Sequence, residues 1–214
     1  MESFRRRDMN VEREISIFLD RYFYTKAAKE FQRINDLETQ LKGIDCTASF
    51  PKLGLEKIVI DEKAATHYIN KNLPTFAFEI NFLDKKGNEH IGWLLDSQKK
   101  TNYYLLIWVK AKKKWEVKCS DILQLECMLI ERDKIITTIK EKGIEIKKMV
   151  EQTGSIRKEK HQSIKMPTND DKLYFYYTYH LAEKPINLII RKELLKEISL
   201  FHILVTPQKI SLAK

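Results

Sequence analysis

Lys57-Ile-Val-Ile-Asp-Glu-Lys-Ala-Ala65 is the stretch on which the fold turns, and Gly43-Ile-Asp-Cys46 is its companion upstream. Ile58, Val59 and Ile60 are β-branched and read as the entry of a buried strand. A strand that buried should not run on into Asp61, Glu62 and Lys63 unless the charges have work to do or reach water at its end. Side chains alternate across a strand, so Asp61 and Lys63 share one face and Glu62 takes the other. Asp45 ends another short apolar stretch, and a hairpin through Pro51 and Gly54 brings it beside Asp61.

Upstream, Val11-Glu-Arg-Glu-Ile-Ser-Ile-Phe-Leu19 has helical spacing. Val11, Ile15, Phe18, Leu19 and Tyr22 make one apolar stripe, flanked by Glu12 and Glu14. Glutamates early in a helix also suit the positive end of its dipole.

An acid, then Asp-x-Lys on a following strand, resembles the PD-(D/E)XK nuclease superfamily, and the helix is similar to that of its Holliday-junction resolvases. The strands resemble phage and mobile-element members, with Asp61-Glu-Lys-Ala64, Thr75-Phe-Ala-Phe-Glu79 and Gly92-Trp93. The likeness covers residues 11–110. It implies a restriction-endonuclease-like core and hydrolysis of DNA phosphodiesters with Mg²⁺ or Mn²⁺. Asp45, Asp61 and Glu12 would hold the ion, near the Glu62 backbone carbonyl, and Lys63 would position the water. Hard divalent ions take oxygen ligands and keep several waters. Glu12 is favoured over Glu14 as the helix acid, because the first glutamate is the active one in the resolvase helix. Glu14 and Glu79 are candidates for supporting the ligands. Asp61 stands where glutamate is commoner in the family, and an extra strand pair follows where a helix is expected.

The net charge of +9 favours partners that carry phosphate, nucleic acid first and anionic membrane second. Lys110, Lys112, Lys113 and Lys114 form the densest basic cluster, with Lys99 and Lys100, and are the expected phosphate track. Gly92-Trp93 and Tyr103-Tyr104 read as core aromatics before base-stacking ones. No Gly-rich phosphate loop occurs, which argues against a nucleotide-hydrolysing motor. Cys46, Cys119 and Cys127 fit neither a zinc site nor a disulfide framework, and a reducing, cytoplasmic setting is expected. The basic N-terminus leads into an amphipathic helix, so no secretory signal is expected. The apolar run from Tyr103 to Val109 is far too short to cross a bilayer. No membrane partner is expected, and a homodimer is a possibility open to enzymes that cut two strands.

Along the chain, helix is expected over 10–34, as one helix or as two with a bend near Thr25, with strands over 39–48, 57–65 and 75–82. Further strands follow over 90–95, 101–110, 115–118, 125–130, 173–180 and 186–190. Helices are expected over 131–142, 144–152 and 191–199, with a loop over 153–172. The order implies a mixed α/β, α+β-like fold: a nuclease-like core over 1–152 and an extension over 153–214 packed on it. The competing functional reading is a catalytically inactive nucleic-acid-binding module on the same fold.

Overall fold

The computed structural model describes residues 4–213. The fold is mixed α+β, built around two sheets in two units. The first unit takes residues up to Leu73, then Lys100–Glu131 and the stretch from Ile198. The second takes Pro74–Lys99 and Arg132–Glu197. The expected boundary after residue 152 instead falls inside a helix, because each unit is assembled from separated stretches of chain.

In the first unit, α1 (Phe4–Leu19) buries Val11, Ile15, Phe18 and Leu19, as its periodicity implies. It continues through a π-helical turn, Asp20–Tyr24, into a last turn, α2 (Thr25–Ala27). The widened turn shifts the buried stripe, so that Phe23 and Tyr24 are both in the core and Tyr22 packs at its margin. Helix does not reach 34 as expected. Ala28 is extended, Glu30 has φ 48°, and β1 (Lys29–Arg33) follows. Phe31 on that strand stacks on Tyr24, ring centroids 4.4 Å apart.

The strand expected from Thr39 is also displaced. Asp36 accepts a bond from the Thr39 amide at 2.8 Å and caps a short helix, α3 (Leu37–Leu41). The strand β2 begins only at Cys46 and ends at Phe50, leaving Asp45 at its mouth. A 3₁₀ turn at Pro51–Leu53 and Gly54, at φ 67°, carry the chain into β3 (Leu55–Ala64). The hairpin pairs Cys46 with Ile60 and Ala48 with Ile58. The next neighbour of β3 is β6 (Tyr103–Ala111), which runs parallel to it and sets Asp61 beside Tyr104 and Lys63 beside Leu106. Next come β7 (Ile122–Glu131), β11 (Phe201–Val205) and β12 (Ile210–Leu212), all antiparallel, giving the order β1-β2-β3-β6-β7-β11-β12. The last two strands were not anticipated. Residues 115–118 form no strand: Glu116 has φ 46° and Trp115 is exposed.

Ile58, Ile60, Leu105, Ile107, Cys127 and Leu129 form the sheet side of the core that receives α1. Each fully buried side chain of this kind contributes about 1.5–3 kcal/mol.

The second unit holds an antiparallel sheet in the order β5-β4-β10-β9-β8. Its strands are β4 (Thr75–Leu83), β5 (Glu89–Ile91), β8 (Ile164–Pro167), β9 (Leu173–Tyr177) and β10 (Ile186–Arg191). Strand β4 follows its alternating sequence through Ile80, with Phe76, Phe78 and Ile80 buried. An irregularity opposite Ile186 and Asn187 then breaks it, so that Asn81 is buried and Phe82 only half-buried. The expected strand over 90–95 stops at Ile91. A Cβ on Gly92 would lie 2.2 Å from the Glu79 carbonyl oxygen, so the chain turns there at a position open only to glycine. Helices α4 (Arg132–Glu141), α5 (Ile146–Glu159) and α6 (Lys192–Ile198) complete the described elements. The first turns of the expected 153–172 loop are thus the end of α5, with Thr153 and Arg157 buried. Among the described residues no helix is long and apolar enough to cross a membrane.

Candidate active site

The β2–β3 hairpin sets the geometry. The Asp45 amide donates to the Ile60 carbonyl at 2.9 Å, and the Glu62 amide donates back to Asp45 Oδ2 at 2.7 Å. That pair locks the Asp45 carboxylate against the strand carrying Asp61. Asp61 is buried, at 2% exposure, and Lys63 Nζ lies 2.6 Å from its Oδ1. The alternation read from sequence is therefore observed: Asp61 and Lys63 meet on one face.

Burial and the charges of Asp61 and Glu62 push the Asp45 carboxyl up to about 7, against the opposing pull of Lys63. Burial alone would lower the Lys63 ammonium, but Asp61, Asp45 and Glu12 outweigh it and hold Lys63 above its ordinary value. Glu12 reaches the group from α1. It is exposed at the edge of the cleft, yet protein crowds its carboxyl, and desolvation, Asp8 and Asp61 raise its pKa against Lys63. Asp8, one turn earlier, accepts from Thr66 at 3.2 Å and pairs with His67 at 3.1 Å.

Glu62 projects to the opposite face into a network the sequence did not disclose. Its carboxylate accepts from Ser16 at 2.9 Å, from Tyr24 at 2.8 Å, and from Arg33 at 2.9 and 3.0 Å. Arg33 also forks onto Asp20 in the π-helical turn. Its Nη1 lies 3.5 Å from the Asp45 carbonyl. Burial opposes the Arg33 charge, but Glu62 and Asp20 more than compensate and raise its pKa. The one local signal was the i, i+4 spacing of Ser16 and Asp20, which puts two polar groups on one helical edge. The partner 29 positions away in sequence could not be read.

A cleft of about 720 Å³ is lined by Glu12, Ser16, Arg33, Asp45, Glu62 and Lys63 among others, while buried Asp61 lies behind Lys63 and is not among its lining residues. Glu14 is not part of it. Its carboxylate accepts from the Cys119 amide at 2.8 Å and pairs with Lys118 at 3.3 Å, pegging a loop instead of supporting the acids. Glu79 lies on β4, in the other unit's sheet, opposite Asn187, and does not share the Asp61 face. Lys110, Lys112, Lys113 and Lys114 are exposed at the end of β6, and Lys113 pairs with Asp121 at 3.2 Å. Tyr104 is a core residue, and Trp93 packs on Phe78 with ring centroids 5.4 Å apart.

The donors at Asp45, Asp61 and Glu12 are all oxygens, the set that suits a hard divalent cation. Among the described residues no three acidic, histidine or cysteine side chains converge closely enough to enclose an ion by themselves. The fit is to an ion held by one or two carboxylates and otherwise by water, as Mg²⁺ commonly is. Burial first, and then the neighbouring charges of Asp61 and Glu62, lift Asp45, and a cation among these carboxylates would relieve both.

Compared with protein-family models, curated proteins and solved structures, the chain shows no significant match to any of them.

Proposed function

We propose that the first unit is a divalent-metal-dependent nuclease that hydrolyses phosphodiester bonds, in DNA before RNA. The observation carrying this reading is Lys63 paired to buried Asp61, with Asp45 locked beside them by the Glu62 amide. In this reading α1, β1–β3 and the parallel β6 are a restriction-endonuclease-like core. Bound Mg²⁺ or Mn²⁺ would polarise the phosphate and activate water. Asp45 and Asp61 would hold it, with Glu12 at the cleft edge. Lys63, kept charged by three acids, would offset negative charge growing on the phosphate in the transition state. Arg33 and Glu62 would hold the end of β3 in register from behind. A homodimer would present two such sites to two strands.

The test is incubation of purified protein with circular, linear and branched DNA and with RNA, in Mg²⁺, Mn²⁺ or chelator. Cutting that chelator and Asp45→Asn both abolish is the expected result. Binding without cutting on every substrate would favour the inactive binding module instead.

A further inference from the structure

The five-stranded sheet of the second unit has one buried face and one open face. Phe78, Leu188 and Phe175 stand in a row on the buried side. On the other side run two cross-strand rows, Ala77-Ile189-Tyr174-Pro167 and Glu79-Asn187-Tyr176-Lys165. Ala77, Pro167 and Lys165 are exposed, and the other five, both tyrosines included, are half-buried.

We infer that this open face binds single-stranded nucleic acid, with one base on Tyr174 and the next on Tyr176. Residues two apart on a strand stand about 6.8 Å apart on one face. That is about twice the 3.4 Å rise per nucleotide of a stacked strand. An unstacked, extended strand therefore matches the ring spacing, and aromatic rings take bases of any sequence. The charge is complementary. Lys165 Nζ lies over the Tyr174 ring, 4.1 Å from its centroid, so a base arriving there takes the ammonium's place and the ammonium moves to that nucleotide's phosphate. Arg191, two residues beyond Ile189 on β10, adds an exposed cation on the same face. The acid of this face, Glu79, sits at the far end of its row from Lys165, which directs the anionic strand along β8 and β9. A duplex hides its base faces and has no means of using the two rings. The inference does not rest on cleavage at the Asp45 cleft: a protein that cuts nothing can still bind here.

The test is fluorescence anisotropy with short labelled single strands of DNA and RNA and a duplex of equal length, in chelator so that cleavage does not interfere. The expected result is single-strand binding that depends on the two rings, while any duplex binding, which the first unit can supply, does not. Either sugar satisfies the inference. The double variant Tyr174→Leu, Tyr176→Leu keeps apolar area on the sheet while removing both ring faces. It should lose about tenfold or more in affinity with an unchanged circular dichroism spectrum. Lys165→Gln should flatten the salt dependence. Wild-type single-strand affinity in the double leucine variant would overturn the inference, whatever duplex the first unit binds.

Discussion

Lys63 Nζ stands 2.6 Å from Asp61 Oδ1, two residues apart on one face of β3. The lysine thus occupies ground that a cation drawn to Asp61 would contest. Lys63→Ala should slow cleavage by on the order of a hundredfold, the scale of losing one electrostatic stabiliser. It should also leave Mn²⁺ affinity equal or higher, because a competing charge is gone. Single-turnover cleavage and metal titration read the two effects apart. Wild-type rates in the variant would sink the role given to Lys63.

Asp45 should make the metal-free protein less stable as pH rises. Its folded pKa of about 7 lies above the unfolded value of about 3.9. Between those values the folded state holds a proton the unfolded state lacks, so stability falls with rising pH across that window. The penalty is complete above pH 7 and absent below pH 4. At pH 8 in chelator, Asp45→Asn should therefore melt higher than wild type, and the difference should vanish near pH 4. Mn²⁺ should raise the wild-type melting temperature at pH 8 and not the variant's. A variant that melts lower at pH 8 would contradict the environment assigned to Asp45.

The opposite face of β3 carries Glu62, whose backbone carbonyl alone was assigned a role from the sequence. Glu62, at 6% side-chain exposure, is instead paired with Arg33 at 16%. Glu62→Gln should cost about 2–4 kcal/mol, less than a fully buried broken pair because Arg33 keeps an edge to solvent and Asp20 as a partner. Thermal melts of Glu62→Gln, Arg33→Gln and the double variant form a cycle. The double variant should lose less than the sum of the singles. Strict additivity would mean the two groups do not act on each other.

What could be read in advance was local. Three β-branched residues, a Pro51–Gly54 turn and strict alternation place Asp45 beside Asp61 without tertiary information. The α1 stripe was legible for the same reason. The division into units was not, because β4 finds its sheet partner β10 more than a hundred residues later in the chain. The π-helical turn at Asp20–Tyr24 leaves no mark in periodicity, so helix is expected through β1 and Arg33 carries no signal of its role. Strand β2 starts later than its apolar pattern implies because Asp36 caps a short helix at Thr39.

The lysine turn after β6 predicts a salt effect. Replacing Lys110, Lys112, Lys113 and Lys114 by Ala should weaken nucleic-acid binding. The log–log salt slope should drop by about 0.9 for each phosphate contact removed from a duplex. Lys113 should count for least, since Asp121 already holds it at 3.2 Å. An unchanged slope would move the binding face elsewhere.

The two helix glutamates should separate cleanly. Glu12 acts on Lys63 and lines the cleft, whereas Glu14 caps the Cys119 amide at 2.8 Å. Glu12→Gln should weaken Mn²⁺ binding and slow cleavage by on the order of tenfold or more, since it removes a charge facing the ion. It should melt no lower than wild type without metal, because a crowded carboxylate is gone. Glu14→Gln should do the reverse. It weakens a charge-assisted bond to a partly buried amide and a contact to Lys118, at about 1–2 kcal/mol in the melt. Its metal titration should match wild type. Calorimetric Mn²⁺ titration beside chelator melts gives both readings on each variant. Lost metal binding in Glu14→Gln with none lost in Glu12→Gln would put the helix acid at the other position.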